Sequence, residues 1–177
     1  MHVIPRIRAA LPTDDGALAA LGARTFRATF GAQNTTQDMD AYVRAAFARE
    51  QMAAELADPD NHYLLAFAAD AEPPIGYAKW RVGVIEPAVR GRRPVELQRL
   101  YVDPAAIGCG VGAALMRACL TATAAGGHDT LWLGVWERNA RALAFYRRWG
   151  FAEVGEHVFR LGNDDQRDIL MQRAVAG

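Results

Sequence analysis

The sequence predicts one α/β domain over residues 1–177, with helices packed on a mixed β-sheet. Three observations lead to this class. The chain has 177 residues, of which 51% are hydrophobic and 23% charged, and this suits a single globular core. Segments whose apolar residues recur at helical spacing alternate with short runs that are typical of β-strands. Gly, Pro, Asn and Asp separate these segments, and no repeat or low-complexity tract interrupts them.

The first half of the chain is predicted to form a strand, two helical stretches and a further strand. Thr13, after Pro12, is a candidate N-cap for the first helix, in which apolar residues recur at helical spacing. A second helical stretch begins at a cap in 34–36 and ends at Asp58-Pro59, which is a helix stop signal. The predicted bounds are 3–9 for the first strand, 14–30 for the first helix and 62–69 for the second strand.

The second half completes the predicted order β-α-α-β-β-β-α-β-α-β-β. Pro73-Pro74 and Asp103-Pro104 delimit strands, and Gly126-Gly127 and Gly150 end the two helices. The predicted bounds are 75–86 and 95–102 for two strands, 110–125 for a helix, 130–136 for a strand, 139–149 for a helix, and 151–161 and 168–172 for the final strands.

Charge and composition limit the classes of partner. Twenty basic and twenty acidic residues give a formal net charge of zero, so a global basic face for nucleic acid is not expected. The basic cluster 90–93 is interpreted as a solvated loop, with a phosphate contact as the alternative. No apolar run approaches the roughly 20 residues that span a bilayer, and segment 1–8 lacks the apolar core of a signal peptide. We expect a cytoplasmic protein without nucleic-acid or membrane partners.

The cysteines and histidines predict neither a disulfide nor a metal site. Cys109 and Cys119 are separated by about 15 Å if both lie on one helix, which is too far for a disulfide. The histidines are scattered and show no spacing typical of metal ligands. These four residues are His2, His62, His128 and His157.

The most informative segment, residues 102–113, links a predicted strand to a predicted helix. Glycine stands at every second position, at Gly108, Gly110 and Gly112, so that backbone N–H groups can approach a ligand closely. These groups lie at a helix N-terminus, where the positive end of the helix dipole favours an anion. A pyrophosphate suits this pattern better than the alternative, a flexible turn of small residues.

The same loop satisfies the dinucleotide-binding fingerprint Gly-x-Gly-x-x-Ala at Gly108, Gly110 and Ala113. Dinucleotide loops follow their strand tightly, whereas five residues separate Val102 from Gly108 here. Too little chain remains after Ala113 for the rest of such a domain, and Asp129 would open the next strand rather than close it. The context therefore argues against a dinucleotide-binding domain.

Residues 97–104 (Leu-Gln-Arg-Leu-Tyr-Val-Asp-Pro) and the glycine loop together resemble motif A of the GCN5-related N-acetyltransferase (GNAT) superfamily. The signature glycines fall on Gly110 and Gly112, while Ile107 stands where the family has Gln or Arg. The resemblance implies the GNAT fold, with a mostly antiparallel sheet splayed at its centre and about four helices. It also implies acetyl-CoA as co-substrate, with the pantetheine pairing to a strand backbone and the pyrophosphate held by loop N–H groups. The implied residues are Leu100, Tyr101 and Val102 for the pantetheine, and Gly108, Cys109, Gly110, Val111, Gly112 and Ala113 for the pyrophosphate.

Asn139 and Tyr146 stand seven residues apart, which puts them on one face of the last predicted helix. With segment 145–151 (Phe-Tyr-Arg-Arg-Trp-Gly-Phe) they resemble motif B of the same superfamily. The resemblance implies that Asn139 contacts the cofactor and that Tyr146 donates a proton to the departing CoA thiolate. The structural alternatives are a simple N-cap for Asn139 and a half-buried packing role for Tyr146.

A closer resemblance, to the PaiA-type polyamine N-acetyltransferases, is carried by segments 25–34, 132–137 and 155–168. It implies a polyamine acceptor, with the first two helices over the acceptor end. Aromatic faces and carboxylates would then replace the water that a polycation loses on binding. The candidate carboxylates are Glu96, Glu137, Asp38 and Asp40, and the candidate aromatic residues on the first two helices are Phe26, Phe30 and Tyr42.

The reaction also needs a base, because an alkyl ammonium must lose a proton before it can attack. Glu96 is the first candidate, acting through water, and Glu137 is the second. The alternative for Glu96 is a surface residue on a half-exposed strand. The superfamily's protein N-terminus acetyltransferases often carry a Glu at the position of Gly134, which counts against that substrate class. The amine then attacks the thioester directly, and a backbone N–H of 100–102 stabilises the oxyanion.

Three functions stay open at this point. The first is an acetyltransferase for a small amine, the second is an acetyltransferase for a protein or peptide amine, and the third is a CoA-binding module without turnover. Asn139 and Tyr146 favour the enzymes over the module. A homodimer is expected by analogy with similar folds.

Overall fold

A computed structural model of the chain describes residues 4–69, 71–161 and 164–175, with the side chain of Asp164 outside the description. These residues form five α-helices and seven β-strands, and the predicted α/β class with a mixed sheet is confirmed. The elements are β1 Pro5–Ala9, α1 Asp15–Phe30, α2 Thr36–Ala46, α3 Arg49–Ala57, β2 Asn61–Ala68, β3 Gly76–Arg81, β4 Pro94–Val102, α4 Val111–Ala125, β5 Thr130–Trp136, α5 Ala140–Arg148, β6 Ala152–Leu161 and β7 Asp164–Ala174.

Two compact units divide the chain, and β4 and α4 each contribute to both. The first unit comprises the residues up to Trp80 together with Arg99–Cys119. Its strands follow the order β1-β2-β3-β4, and β1 pairs with β2 in antiparallel fashion, Pro5 opposite Ala68. Helix α1 buries an apolar face in this unit. The buried residues of that face are Leu18, Leu21, Phe26 and Phe30.

The second unit comprises Arg81–Gln98 and the residues from Leu120 onward. Its strands follow the order β4-β5-β7-β6. Strands β4 and β5 pair in parallel over the first three residues of each, Pro94–Glu96 with Thr130–Trp132. The pairs β5–β7 and β6–β7 are antiparallel, with a bulge between Glu153 and Gly155. Strand β5 is buried along nearly its whole length, which agrees with its strongly apolar sequence.

Helix α1 begins at Asp15, one residue after the predicted start, but the predicted N-cap at Thr13 is wrong. Thr13 lies inside a short 3₁₀ turn, Pro12–Asp14, and does not cap the helix. Asp14 is the residue at the N-cap position of α1. Its buried carboxylate accepts a hydrogen bond from the Leu11 N–H at 2.6 Å. It also accepts two from the Arg8 guanidinium, at 2.7 and 2.9 Å. The pKa of Asp14 is lowered by the hydrogen bond from Arg8, which outweighs the effect of burial.

The second predicted helical stretch is two helices, so the described residues form five helices where about four were expected. Ala48 has extended backbone angles, φ −60° and ψ 145°, and separates α2 from α3. Phe47 ends α2 and packs its buried ring against Gly22 of α1, where any Cβ would overlap the ring. The tertiary contact of Phe47 therefore breaks a sequence whose helical spacing continues without interruption.

Two strand bounds also differ from the predicted ones. The strand predicted over 75–86 ends at Arg81, shortly before Gly83, whose φ of +81° does not continue a strand. The last strand runs from Asp164 to Ala174 rather than over 168–172, because it pairs along β6 on one side and β5 on the other. The predicted first residue, Val3, lies outside the described residues. No helix in the described part of the chain is long and apolar enough to cross a membrane.

Candidate active site

The glycine loop of the first unit begins with a fixed turn after β4. The Asp103 carboxylate accepts a hydrogen bond from the Ala105 N–H at 3.1 Å and pairs with Arg24 of α1 at 2.6 and 2.8 Å. The Asp103 N–H donates to the Ile75 carbonyl at 2.8 Å. The end of β4 is thereby tied to α1 and to the residue preceding β3, so the loop starts from a defined position.

Two glycines of this loop have backbone angles that other residues rarely adopt. Gly108 has a φ of +82° and Gly110 a φ of +91°, and α4 begins at Val111. The first intrahelical bond runs from the Ala114 N–H to the Gly110 carbonyl at 3.0 Å. The N–H groups of the preceding three residues therefore lie in the first helical turn, where helix geometry supplies no acceptor. Those residues are Val111, Gly112 and Ala113.

The other loop residues differ in their backbone hydrogen bonds and in the exposure of their side chains. The Cys109 N–H already donates to the Ala106 carbonyl at 3.3 Å. Ile107, where the family has Gln or Arg, is 39% exposed, so this departure leaves an apolar side chain on the surface. Cys109 and Cys119 are both free thiols, and burial raises the pKa of Cys119 to about 12.

The end of β4 packs closely on its neighbours in the first unit. A Cβ at Gly76 of β3 would lie 3.1 Å from the Tyr101 carbonyl oxygen and 3.1 Å from the Val111 side chain. Leu100, Tyr101 and Val102 are all partly buried. Because Gly76 lacks a side chain, the backbone of β4 and the start of α4 approach β3 directly.

In the second unit, Asn139 caps α5. Its side-chain oxygen accepts a hydrogen bond from the Ala142 N–H at 3.1 Å. The N-cap interpretation of Asn139 is therefore confirmed, and it uses the amide oxygen but not the amide nitrogen. Tyr146, two turns later on the same helix, is 9% exposed. Its ring meets Phe145 at 5.4 Å and Phe151 at 5.6 Å in edge-to-face contacts.

The two candidate bases each have a guanidinium partner. Glu96 is buried on β4 and its carboxylate pairs with Arg81, so its interpretation as a surface residue is wrong. Glu137 is exposed after β5 and pairs with Arg167 at 3.3 Å. Both carboxylates lie in the second unit, as do Asn139 and Tyr146, whereas Leu100–Val102 and the glycine loop lie in the first.

The aromatic and acidic candidates of the first two helices are engaged with one another or with nearby groups. Phe26 is buried and stacks on Tyr42 with ring centroids 4.5 Å apart, and Phe30 is the same distance away. The Asp38 carboxylate accepts one hydrogen bond from the Thr35 hydroxyl at 2.8 Å, and Asp40 pairs with Arg27 at 2.6 Å. These acids thus already serve a helix cap and an ion pair.

Sequence reasoning missed a buried ionic cluster in the first unit, the Glu55 cluster. The Glu55 carboxylate accepts from the Lys79 ammonium at 2.5 Å, from Arg99 at 3.2 Å and from the Tyr63 hydroxyl. Burial would raise the pKa of Glu55, but the charge of Arg99 and the hydrogen bonds lower it to about 2. The signal in the sequence was limited to Lys79, a charged residue between Ala78 and Trp80 in β3.

A second cluster, the His157 cluster, lies in the second unit and was also missed. His157 of β6 stands between two carboxylates, with Nδ1 3.6 Å from Glu86 and Nε2 3.6 Å from Asp168. Burial raises the pKa of Asp168 to about 6 against the opposing effect of His157. Only the register of the β6–β7 hairpin brings His157 opposite Asp168. Within the described ranges, no group of three or more His, Cys, Asp or Glu residues is arranged to hold a metal ion.

Comparisons with known proteins agree with this architecture. An uncharacterized N-acetyltransferase of Mycobacterium tuberculosis (strain H37Rv) is 36% identical over 164 residues, covering 92% of this chain and 99% of that protein. The N-alpha-acetyltransferase RimI of the same organism is 37% identical over 119 residues, covering 66% of this chain and 65% of RimI. The crystal structure of the PaiA N-acetyltransferase from Thermoplasma acidophilum, in complex with coenzyme A, has a TM-score of 0.76 at 20% identity and covers 96% of this chain and 98% of that chain.

The family assignment follows from the sequence itself. The model of the Acetyltransferase (GNAT) family matches residues 25–151, a span that contains the glycine loop, Asn139 and Tyr146. The likeness to the PaiA structure, at 20% identity, shows the fold. With the family model and relatives named as N-acetyltransferases, the chain belongs to the acetyltransferase (GNAT) family and is an N-acetyltransferase.

Proposed function

We propose that the protein transfers an acetyl group from acetyl-CoA to a primary amine of a small molecule, with a polyamine as the preferred acceptor. The observation that carries this proposal is the glycine loop, with its positive-φ glycines before α4 and its first-turn N–H groups. Such a helix start suits a pyrophosphate, because backbone donors and the helix dipole both favour an anion. Bound acetyl-CoA supplies an activated acetyl thioester.

The chain's own residues would divide the remaining tasks. The backbone of Leu100–Val102 would pair with the pantetheine, and one of its N–H groups would stabilise the oxyanion. Asn139, whose oxygen caps α5, would offer its amide nitrogen to the cofactor. Tyr146 would protonate the thiolate that leaves when the amine attacks directly.

The acceptor must arrive at the thioester as a free amine. At neutral pH an alkyl ammonium with a pKa near 10 is about one part in 10³ free amine, which is roughly 4 kcal/mol from the nucleophilic form. Glu96, through water, and Glu137 are the sequence candidates for the base. Each has an arginine partner, and a carboxylate that takes a proton gives up such a partner's attraction.

The polyamine preference rests on the PaiA-type resemblance of segments 25–34, 132–137 and 155–168. The fold likeness to a PaiA N-acetyltransferase is consistent with it. Asp38 and Asp40 support it less, because a cap and an ion pair engage them. Protein or peptide amines are the second candidate, favoured by the 37% identity to RimI, an N-alpha-acetyltransferase.

An acceptor panel tests the proposal. Release of the CoA thiol is measured with acetyl-CoA and spermidine, a singly charged amine of similar length, or a short peptide with a free N-terminus. Spermidine should react best, and its advantage should shrink as salt rises, because salt screens charge contacts. Preference for the peptide would replace the polyamine with a protein substrate. If the singly charged amine reacts as well as spermidine at both salt levels, the polyamine preference is wrong and the protein is a general amine acetyltransferase.

A further inference from the structure

The two candidate bases considered so far, Glu96 and Glu137, are each paired with an arginine. The second unit contains another carboxyl group, Asp168, whose partner is a histidine. We propose that Asp168, with His157 beside it, accepts the proton of the acceptor ammonium. This assignment rests on the proposed amine acetyltransferase function and names a residue that serves it. Asp168 would be the catalytic base, and His157 would be a positioning residue.

Geometry places the two side chains together at one point of the sheet of the second unit. In the register, Asp168 of β7 lies opposite His157 of β6 on one side and opposite Trp136 of β5 on the other. The His157 Nε2 is 3.6 Å from the Asp168 Oδ2, while Glu86 faces the Nδ1 atom. The side chain of Asp168 is 13% exposed and that of His157 is 36% exposed, so the pair is sheltered but still reaches solvent.

The missing side chain of Gly134 on β5 makes room for this pair. A Cβ at Gly134 would lie 3.1 Å from the His157 Nε2 and 3.2 Å from the Asp168 Oδ2. The pair therefore occupies the space beside β5 that a side chain would otherwise fill. Strand β5 leads within three residues to Asn139, which begins the helix that carries Tyr146. A base at this point would belong to the same unit as the proposed acid.

The electrostatic surroundings of Asp168 differ from those of the other candidates. The titratable group that contacts Asp168 is His157 from β6, whose other ring nitrogen faces Glu86 from the loop before β4, and neither contact involves an arginine or a lysine. Its neighbours two positions away along β7, Gln166 and Leu170, are uncharged. Burial raises the pKa of Asp168 to about 6. A general base works best when its pKa lies near the working pH, while most of it is still ionised.

The proton and electron count of the step is simple. The ammonium N–H bond breaks, its electron pair stays on nitrogen, and the proton forms an O–H bond on the Asp168 carboxylate. The free amine then attacks the thioester carbonyl, and the C–S bond breaks with its pair on sulfur. Tyr146 gives its proton to that sulfur and regains one from the acetylated nitrogen. One net proton remains on Asp168 and passes to solvent.

The test is the Asp168→Asn variant, which keeps shape and removes the base. With the best acceptor of the panel, kcat/KM at pH 7 should fall by on the order of 10² to 10⁴, the usual contribution of general acid–base catalysis. The deficit should shrink toward pH 9.5, where solvent itself supplies free amine, since the acceptor pKa is near 10. The matched control is Asp165→Asn on the same strand, whose partner Arg160 is 2.9 Å away on the exposed surface. It should leave kcat/KM unchanged at every pH.

Several outcomes would overturn the assignment. Near-normal turnover by Asp168→Asn at pH 7 removes Asp168 as the base, and a deficit equal at all pH values makes the residue structural. If that variant does not fold, Gly134→Ala takes its place, because the added methyl group displaces the pair. It should produce a smaller deficit with the same pH dependence, and a pH-independent deficit overturns the proposal. Failure of the proposed function looks different, because the unmodified protein would then release no thiol with any amine.

Discussion

The Glu55 cluster and the His157 cluster are built from similar groups and reach opposite electrostatic results. In the first unit, Lys79, Arg99 and Tyr63 all donate to one buried carboxylate, whose pKa falls to about 2. In the second unit, Asp168 is largely sheltered from solvent, its partner is the His157 imidazole, and burial raises its pKa to about 6. Burial acts in the same direction on both carboxyls. The number of fixed cations decides whether a carboxylate is locked in its charged form or can exchange protons near neutral pH.

The comparison predicts that proton chemistry belongs to the second unit, and Tyr146→Phe should show the largest effect. The change removes one hydroxyl from a buried ring and little volume. If Tyr146 protonates the thiolate, kcat should fall by on the order of 10² to 10⁴. Acetyl-CoA affinity, measured by calorimetry, and the melting temperature should change little. Near-normal turnover would make Tyr146 a packing residue beside Phe145 and Phe151.

The Glu55 cluster should instead contribute to the stability of the fold. Glu55→Gln leaves Lys79 and Arg99 buried without their shared carboxylate, and their side chains are only 3% and 10% exposed. Loss of one member of a buried ion pair typically costs about 3–5 kcal/mol of unfolding free energy, so urea denaturation should show a loss of this size. The control is Glu153→Gln in the exposed pair with Arg147, where less than about 1 kcal/mol is expected. Equal losses would mean that the Glu55 cluster has no special structural role.

The glycine loop of the first unit allows a matched comparison with a loop of the second. Gly108 has a φ of +82° and Gly83 a φ of +81°, and a Cβ at either position would have no neighbour within 4 Å. Asp at either site therefore carries the same backbone strain, roughly 1–2 kcal/mol. If the loop holds a pyrophosphate, Gly108→Asp should weaken acetyl-CoA binding by a factor on the order of 10² or more, through charge repulsion, whereas Gly83→Asp should not. Equal acetyl-CoA affinities of the two variants would mean that the glycine loop does not bind the cofactor.

These clusters also show how far the sequence could predict the molecule. The glycine loop, the capped helix α5 and the buried strand β5 follow from local patterns, because glycine conformations, caps and periodicity are properties of neighbouring residues. The Glu55 cluster joins residues that are 24 and 44 positions apart, and the His157 cluster depends on a hairpin register. Neither is encoded in local spacing. The break between α2 and α3 was missed for the same reason, since it depends on the contact of Phe47 with Gly22.

Acid titration should separate the two carboxyls by sign. The pKa of Glu55 is depressed below its ordinary value near 4, so its stabilising contribution is present above that value and is lost as pH falls toward about 2. The pKa of Asp168 is raised, so its contribution is present below about 4 and is lost as pH rises through about 6. Unfolding free energies should therefore show the deficit of Glu55→Gln shrinking below pH 4. Between pH 4 and 7, the unfolding free energy of Asp168→Asn should rise relative to that of the unmodified protein. A shift of the same sign for both variants would contradict the contrast between the clusters.

The smallest expected effect concerns Ile107, the position in the glycine loop where the family has Gln or Arg. Its side chain is 39% exposed, so a long polar replacement meets no buried surface. If the loop binds the pyrophosphate, Ile107→Arg should increase acetyl-CoA affinity by a few-fold, in line with the ~0.2–1 kcal/mol of an exposed charge contact. The gain should disappear at high salt, because screening acts on exposed charges. Ile107→Gln is the matched control, since it adds polarity without charge and should show no salt-dependent gain. An unchanged affinity for Ile107→Arg at low salt would mean that backbone N–H groups bind the cofactor without help from this position, while a loss would contradict a pyrophosphate site beside residue 107.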